Sequence, residues 1–233
     1  MRAAVIVFPG SNCDRDLALA FERASGRPTL RVWHKETELP PGVDVVGVPG
    51  GFSYGDYLRC GAIAAQSPVM RAVAAHARGG GLTLGVCNGW QVLIEAGLLP
   101  GALLRNHGLT FLHRDALLRA TTQDSPFTRL LPLDQTLRIP IAHHDGAFFA
   151  DPETLAAVEG EGRVAFRYVD AAGRATPESA PNGSQNAIAG VLSADRRVLG
   201  LMPHPERAVD PALGPADGAA LFEGVLSSLT AAA

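Results

Sequence analysis

The sequence predicts an α/β domain: a central, mostly parallel sheet with helices on both faces and a β-rich C-terminal extension. Three observations lead there. Continuous apolar runs alternate with amphipathic stretches over roughly the first hundred residues, the pattern of strands buried on both faces by crossover helices. Glycines close the runs, at Gly50-Gly51 and at 79–81. From about Leu103 the pattern changes to short β-rich pieces, which suggest a mixed or antiparallel extension of the same sheet.

The elements follow in order. "AAVIVF" from Ala3 is a first buried strand, and "PGSNCDRDLALAFERA" a helix with Ser11, Asn12 and Asp14 as candidate caps. "TLRVWH" and "VDVVGVPGG" read as strands two and three. A helical stretch begins near Ala62, restarts at Pro68 and stops at the glycines 79–81. "LTLGV" is a fourth strand and "GWQVLIEAGLL" a helix closed by Gly97. The β-rich pieces are "LTFLHRDALLRA", "QTLRIPIAHHDGAFFA", "RVAFRYV", "AIAGVLS" and "VLGLMPH", and the tail "GAALFEGVLSSLTAAA" has helical spacing. No repeat or low-complexity linker interrupts the chain, so residues 1–233 are expected to form one domain.

Composition narrows the function. Hydrophobic residues make up 47% and charged residues 18%, ample for a buried core. Twenty lysines and arginines against 23 aspartates and glutamates give a formal charge of −3, with no basic stripe to attract nucleic acid. The opening "MRAAVIVFPG" is too short an apolar run for a signal segment, and no run has the length of a membrane span. Three scattered cysteines fit free thiols in a reducing compartment. A cytoplasmic chain without membrane or nucleic-acid contact is the expectation.

One thiol stands out. Cys87 lies at the joint between the fourth strand and the next helix, with Gly85 and Gly89 two residues to either side. A nucleophile held at a sharp strand-to-helix turn needs such small neighbours, and the helix N-terminus favours its thiolate. The competing reading is a buried structural cysteine. A nucleophilic thiol needs a histidine, and the histidine needs an orienting group. In "LMPHPERA", prolines flank His204 and hold the backbone extended, which would set Glu206 on the same side as the imidazole; a surface turn is the alternative. An oxyanion needs backbone N–H donors, and Asn88 and Gly51 offer them. Cys13 and Cys60 have no histidine nearby in sequence and read as packing residues. "HHDG", 143–146, lacks the companion spacing of a zinc site, and no phosphate-loop or dinucleotide motif occurs, so no metal or cofactor is expected in this chain.

In this order, "GVCNGWQ" and "HPE" resemble the class I, triad-type glutamine amidotransferases. "GSNCDRD" (10–16), "GGFSYGDYLRCGAIA" (50–64), "LLPGALLRN" (98–106), "PNGSQNAIAGV" (181–191) and "VLGLMPHPERA" (198–208) look more narrowly like the glutaminase subunits of phosphoribosylformylglycinamidine synthases. The resemblance implies a flavodoxin-like fold, with Cys87 as nucleophile, His204 as acid/base and Glu206 as its partner. It implies an oxyanion hole at the Gly51 and Asn88 amides, and Gln91 beside a bound L-glutamine. The ammonia released would pass to a large synthetase subunit that uses ATP and Mg, with a small accessory subunit in the same complex; 233 residues leave no room for a fused synthetase. The chain departs from the family at "HHDGAFFAD", 143–151, where Ala147-Phe148 replaces an Arg-Tyr pair and Asp145-Gly146 keeps an acid and a glycine. Two other classes compete: a stand-alone cysteine hydrolase or peptidase of the same fold, and a catalytically silent binding subunit, which would have no need of Cys87, His204 and Glu206 together.

Overall fold

Each strand of the first half forms where the apolar run predicts it. The computed structural model describes residues 1–57 and 59–231; Leu58, inside the 50–64 stretch, and the last two alanines of the predicted tail helix lie outside the described residues. Strands β1 (Ala3–Val7), β2 (Leu30–Trp33), β3 (Val45–Val48) and β4 (Leu82–Val86) are parallel, with β11 (Val198–Leu201) parallel beside β4. The order β2-β1-β3-β4-β11 is that of a flavodoxin-like, doubly wound sheet.

The β-rich half extends this sheet antiparallel, as predicted. Strands β10 (Ile188–Leu192), β9 (Val164–Tyr168), β6 (Leu112–Ala120) and β7 (Leu137–His143) continue beyond β11 to complete nine strands. Two short strands leave the main sheet: β5 (Ala102–Arg105) pairs with β8 (Asp145–Phe149). The single piece expected over "QTLRIPIAHHDGAFFA" therefore breaks at His144 into strands of two different sheets.

Helices cover both faces. On α1 (Asp14–Ser25), Leu17, Ala18, Ala20 and Phe21 form the buried stripe, and Phe21 meets Phe222 of α6 (Ala219–Thr230) edge to face at 5.3 Å. The cap of α1 differs from expectation. Its N-cap is Cys13 with no side-chain capping bond, and Ser11 instead accepts from the Phe8 N–H. Asp14 and Asp16 in the first turn still favour the helix dipole. Helices α2 (Ala62–Ala65) and α3 (Pro68–Arg78) divide at Pro68, and α4 (Asn88–Glu95) runs out at Gly97, whose φ of 67° is left-handed. Register shows the two faces: Gly47 points at Leu17 and Phe21 of α1, while Gly85 and Gly200, paired across β4 and β11, point at Leu93 and Trp90 of α4. Helix α5 (Pro152–Gly160) is capped by Asp151, which accepts from the Thr154 N–H. Among the described residues no helix is long and apolar enough to cross a membrane.

Candidate active site

Four loops leave the carboxyl ends of parallel strands and meet at one point, where open α/β sheets collect their chemistry. Cys13 follows β1, Gly50-Gly51 follow β3, Cys87 follows β4 and His204 follows β11.

Cys87 has φ 52° and ψ −109°, a conformation that L-residues adopt only under strain, as at a nucleophile elbow. Its N–H donates to the Leu201 carbonyl at 2.7 Å, tying the elbow to β11. The flanking glycines are required sterically. A Cβ on Gly85 would lie 2.5 Å from Leu93 Cδ1, and one on Gly89 would lie 1.9 Å from the Val48 carbonyl oxygen. Cys87 is 5% exposed, and it lines a cleft of about 510 Å³ together with Gly51, Asp56, Gln91, Arg105 and Asp145.

His204 and Glu206 are paired as predicted but by a different backbone. His204 starts a 3₁₀ turn over Pro205–Arg207; the segment is not extended, because Pro205 opens the turn with its fixed φ. Imidazole Nδ1 and carboxylate Oε1 lie 2.6 Å apart, with both residues buried. Burial acts most strongly on His204 and would lower its pKa. The Glu206 carboxylate, then the Cys87 sulfur, outweigh it and hold the imidazolium well above the ordinary histidine range. Nε2 is buried without an aligned hydrogen-bond partner. Gly50 makes the room: a Cβ there would lie 2.8 Å from His204 Cε1 and 3.4 Å from Cys87 Cβ.

Asn88 and Gly51 border the same space. Among the described residues neither N–H donates to another backbone group, so both remain available to a ligand. Gly51 sits at φ 138°, and a Cβ would fall 2.7 Å from the Asn12 nitrogen, so glycine is required there. The Asn88 side chain fixes the loop opposite. Its Oδ1 accepts from the Ser53 N–H at 3.1 Å, and its Nδ2 donates to Asp56 Oδ1 at 3.0 Å and Gln91 Oε1 at 2.8 Å. Through it Ser53 and Asp56 are locked to the first turn of α4. Gln91 lines the cleft, yet its amide is engaged: Nε2 donates to the Asp145 carbonyl at 2.6 Å. It thereby links Asn88 to Asp145 along the cleft.

Several residues of the cleft were not singled out by sequence. Asp56 has its carboxyl raised by burial, an effect that hydrogen bonds from Cys60 and Asn88 partly offset. Cys60 lines the cleft, but burial and the nearby Asp56 and Asp145 push its thiol up to about 12, which leaves it inert. Arg105 Nε lies 3.4 Å from Asp145 Oδ1 at the rim. Cys13 corrects the reading of a packing residue: its sulfur stands beside His204 and accepts from Arg207 Nη2 at 3.1 Å. The two residues of "HH" part company. His143 is buried against Asn106 Oδ1 and pushed down to about 4 by burial and by His204, while His144 faces Asp145 at 3.6 Å.

Comparison with known proteins agrees with this geometry. The profile of the CobB/CobQ-like glutamine amidotransferase domain matches residues 1–218. Phosphoribosylformylglycinamidine synthase subunit PurQ of Cereibacter sphaeroides is 62% identical over 229 residues, 98% of this chain and 99% of that one. The subunit of the same name from Roseobacter denitrificans is 58% identical, covering 99% of this chain and 100% of its own. Among solved structures, a chain of PurLQS from Thermotoga maritima superposes with a TM-score of 0.84 at 40% identity, over 98% of both chains.

Proposed function

Because the chain belongs to the CobB/CobQ-like glutamine amidotransferase family, and within it to the PurQ subunits of phosphoribosylformylglycinamidine synthase, we propose that it hydrolyses L-glutamine to glutamate and ammonia through a Cys87 thioester. The ammonia goes to a synthetase subunit that converts formylglycinamide ribonucleotide to the amidine with ATP, in purine biosynthesis. The single observation behind the chemistry is the convergence of a strained, cleft-facing Cys87 with a buried His204–Glu206 pair.

The Cys87 thiolate attacks the side-chain amide carbon of glutamine. Negative charge moves to the carbonyl oxygen, where the Asn88 and Gly51 N–H groups receive it. The tetrahedral intermediate collapses, the C–N bond breaks, and His204 gives its proton to the departing nitrogen, which leaves as ammonia. Neutral His204 then takes a proton from water, whose oxygen attacks the thioester; the C–S bond breaks and Cys87 leaves as thiolate. Glutamate departs and His204 is again charged. The rim of the cleft suits an α-amino acid, since Asp56 and Asp145 are acidic and Arg59 and Arg105 basic.

Two outcomes test this reading. Addition of the large synthetase subunit, with the small accessory subunit, should raise glutamine turnover and couple it to ATP consumption. Turnover indifferent to both would favour the stand-alone hydrolase. Glu206→Gln removes the carboxylate that raises the His204 pKa, so the imidazolium is lost at lower pH. The alkaline limb of the kcat/KM profile should therefore move toward neutrality. An unmoved limb would show that Glu206 does not set the charge of His204.

A further inference from the structure

The catalytic pair has a neighbour that the mechanism does not use. One ligand atom each from Cys13, His204 and Glu206 lie within 4.8 Å of one another, all three residues buried, and the Cys87 sulfur faces the same imidazole. Two polar atoms of the cluster, His204 Nε2 and Glu206 Oε2, are buried without an aligned hydrogen-bond partner. Buried groups of this kind are costly unless something satisfies them. From this juxtaposition we propose that Cys13 and His204, with Cys87 and Glu206 around them, form an inhibitory binding site for a thiophilic divalent cation of the zinc class.

The ligand chemistry selects the metal. Two sulfurs and an imidazole are soft donors suited to zinc, whereas magnesium and calcium need several oxygens. Tetrahedral zinc with bonds of about 2.0–2.3 Å sets its ligands roughly 3.6 Å apart; the Cys13 and His204 ligand atoms lie within 4.8 Å of each other, so that pair needs at most about 1 Å of closure. Glu206 held against Nδ1 is the carboxylate–histidine arrangement that orients an imidazole for a metal. Arg207 Nη2 donates to the Cys13 sulfur at 3.1 Å, and Asp16, 3.0 Å from Arg207 Nε, offsets the arginine charge. Of these four residues Cys87 alone lines the cleft, so its sulfur is where a cation entering from the cleft first meets the cluster. Binding releases the His204 proton to solvent, and the bound cation removes the nucleophile and the acid/base group together, so it inhibits. The sequence expectation of no metal weighed only "HHDG", 143–146, which is not part of this cluster, and the site does not depend on which amide is hydrolysed.

The test is an optical titration of the full chain with Co²⁺, which reports thiolate ligation by a sulfur-to-cobalt charge-transfer band without requiring any turnover. One equivalent should bind with such a band, and Zn²⁺ should displace it. Cys13→Ser, and independently Cys13→Ala, should lower the band by roughly half or abolish it, while Cys60→Ser leaves it unchanged. In the synthetase complex, Zn²⁺ should inhibit glutamine turnover reversibly to a chelator, and Cys13→Ser should weaken that inhibition about tenfold or more. No band in the wild-type chain, full intensity in both Cys13 variants, or loss of the band in Cys60→Ser would each overturn the proposal.

Discussion

Cys87→Ser is expected to abolish glutamine-dependent amidation by the synthetase complex while ammonia added in its place still supports the reaction. The serine hydroxyl is a far weaker nucleophile than a thiolate, and among the described residues His204 is the group placed to activate it. The loss in glutamine turnover should reach about 10⁴-fold or more, as when the nucleophile of other triads is removed. Under the proposed division of labour, ammonia-dependent synthesis takes place on the partner and needs from this chain only its fold. The serine replaces one atom in a site that already tolerates strain, so the fold should persist. Parallel assays of the variant complex with glutamine and with ammonium salt check it; equal loss of both activities would refute the division of labour.

Gly89→Ala should be nearly as damaging, for a reason that helix propensity alone reverses. Alanine is the better helix former by about 1 kcal/mol, and Gly89 lies within α4 with no positive φ. Yet its Cβ would stand 1.9 Å from the Val48 carbonyl oxygen and 2.6 Å from the carbonyl carbon. Backbone cannot move aside as a side chain can. The helix must shift away from β3, and the elbow goes with it. Overpacking of this kind costs about 3 kcal/mol or more, which for a chain of this size is a fall in Tm of roughly 6–12 °C. A displacement near 1 Å at Cys87 costs about 10²-fold in turnover. Thermal unfolding and glutamine hydrolysis of the variant would measure both; a stabilised, active variant would show that the close approach of α4 to β3 is not real.

What could be read from the sequence was what local sterics determine. A thiol between two glycines at a strand end announces its turn, because bulky neighbours clash there whatever the rest of the chain does. The parallel half was legible for a similar reason, since each buried strand is one uninterrupted apolar run. His204 and Glu206 were read from their i, i+2 spacing in a proline-flanked stretch, although the turn that joins them is 3₁₀ and not extended. Cys13 was missed because its neighbours His204 and Arg207 come from the far end of the chain and meet it only once β11 lies beside β4. Gly50 was passed over as an ordinary turn glycine, and only the folded site shows an imidazole filling the space of its absent side chain. Helix α5 escaped notice because only Val158 of it is buried, leaving no apolar stripe to read. The clamp made by the Asn88 side chain explains why the long 50–64 stretch accompanies the nucleophile motif, a link that neither stretch displays alone.

The most direct test of the central claim is mass spectrometry after exposure to 6-diazo-5-oxo-norleucine, a glutamine-analogue electrophile, with peptide mapping, on the chain alone and in the synthetase complex. The account predicts a single adduct in the complex, on Cys87, suppressed by excess L-glutamine, with Cys13 and Cys60 unlabelled. An unlabelled Cys87 in the assembled complex, or labelling that glutamine does not suppress, would contradict it.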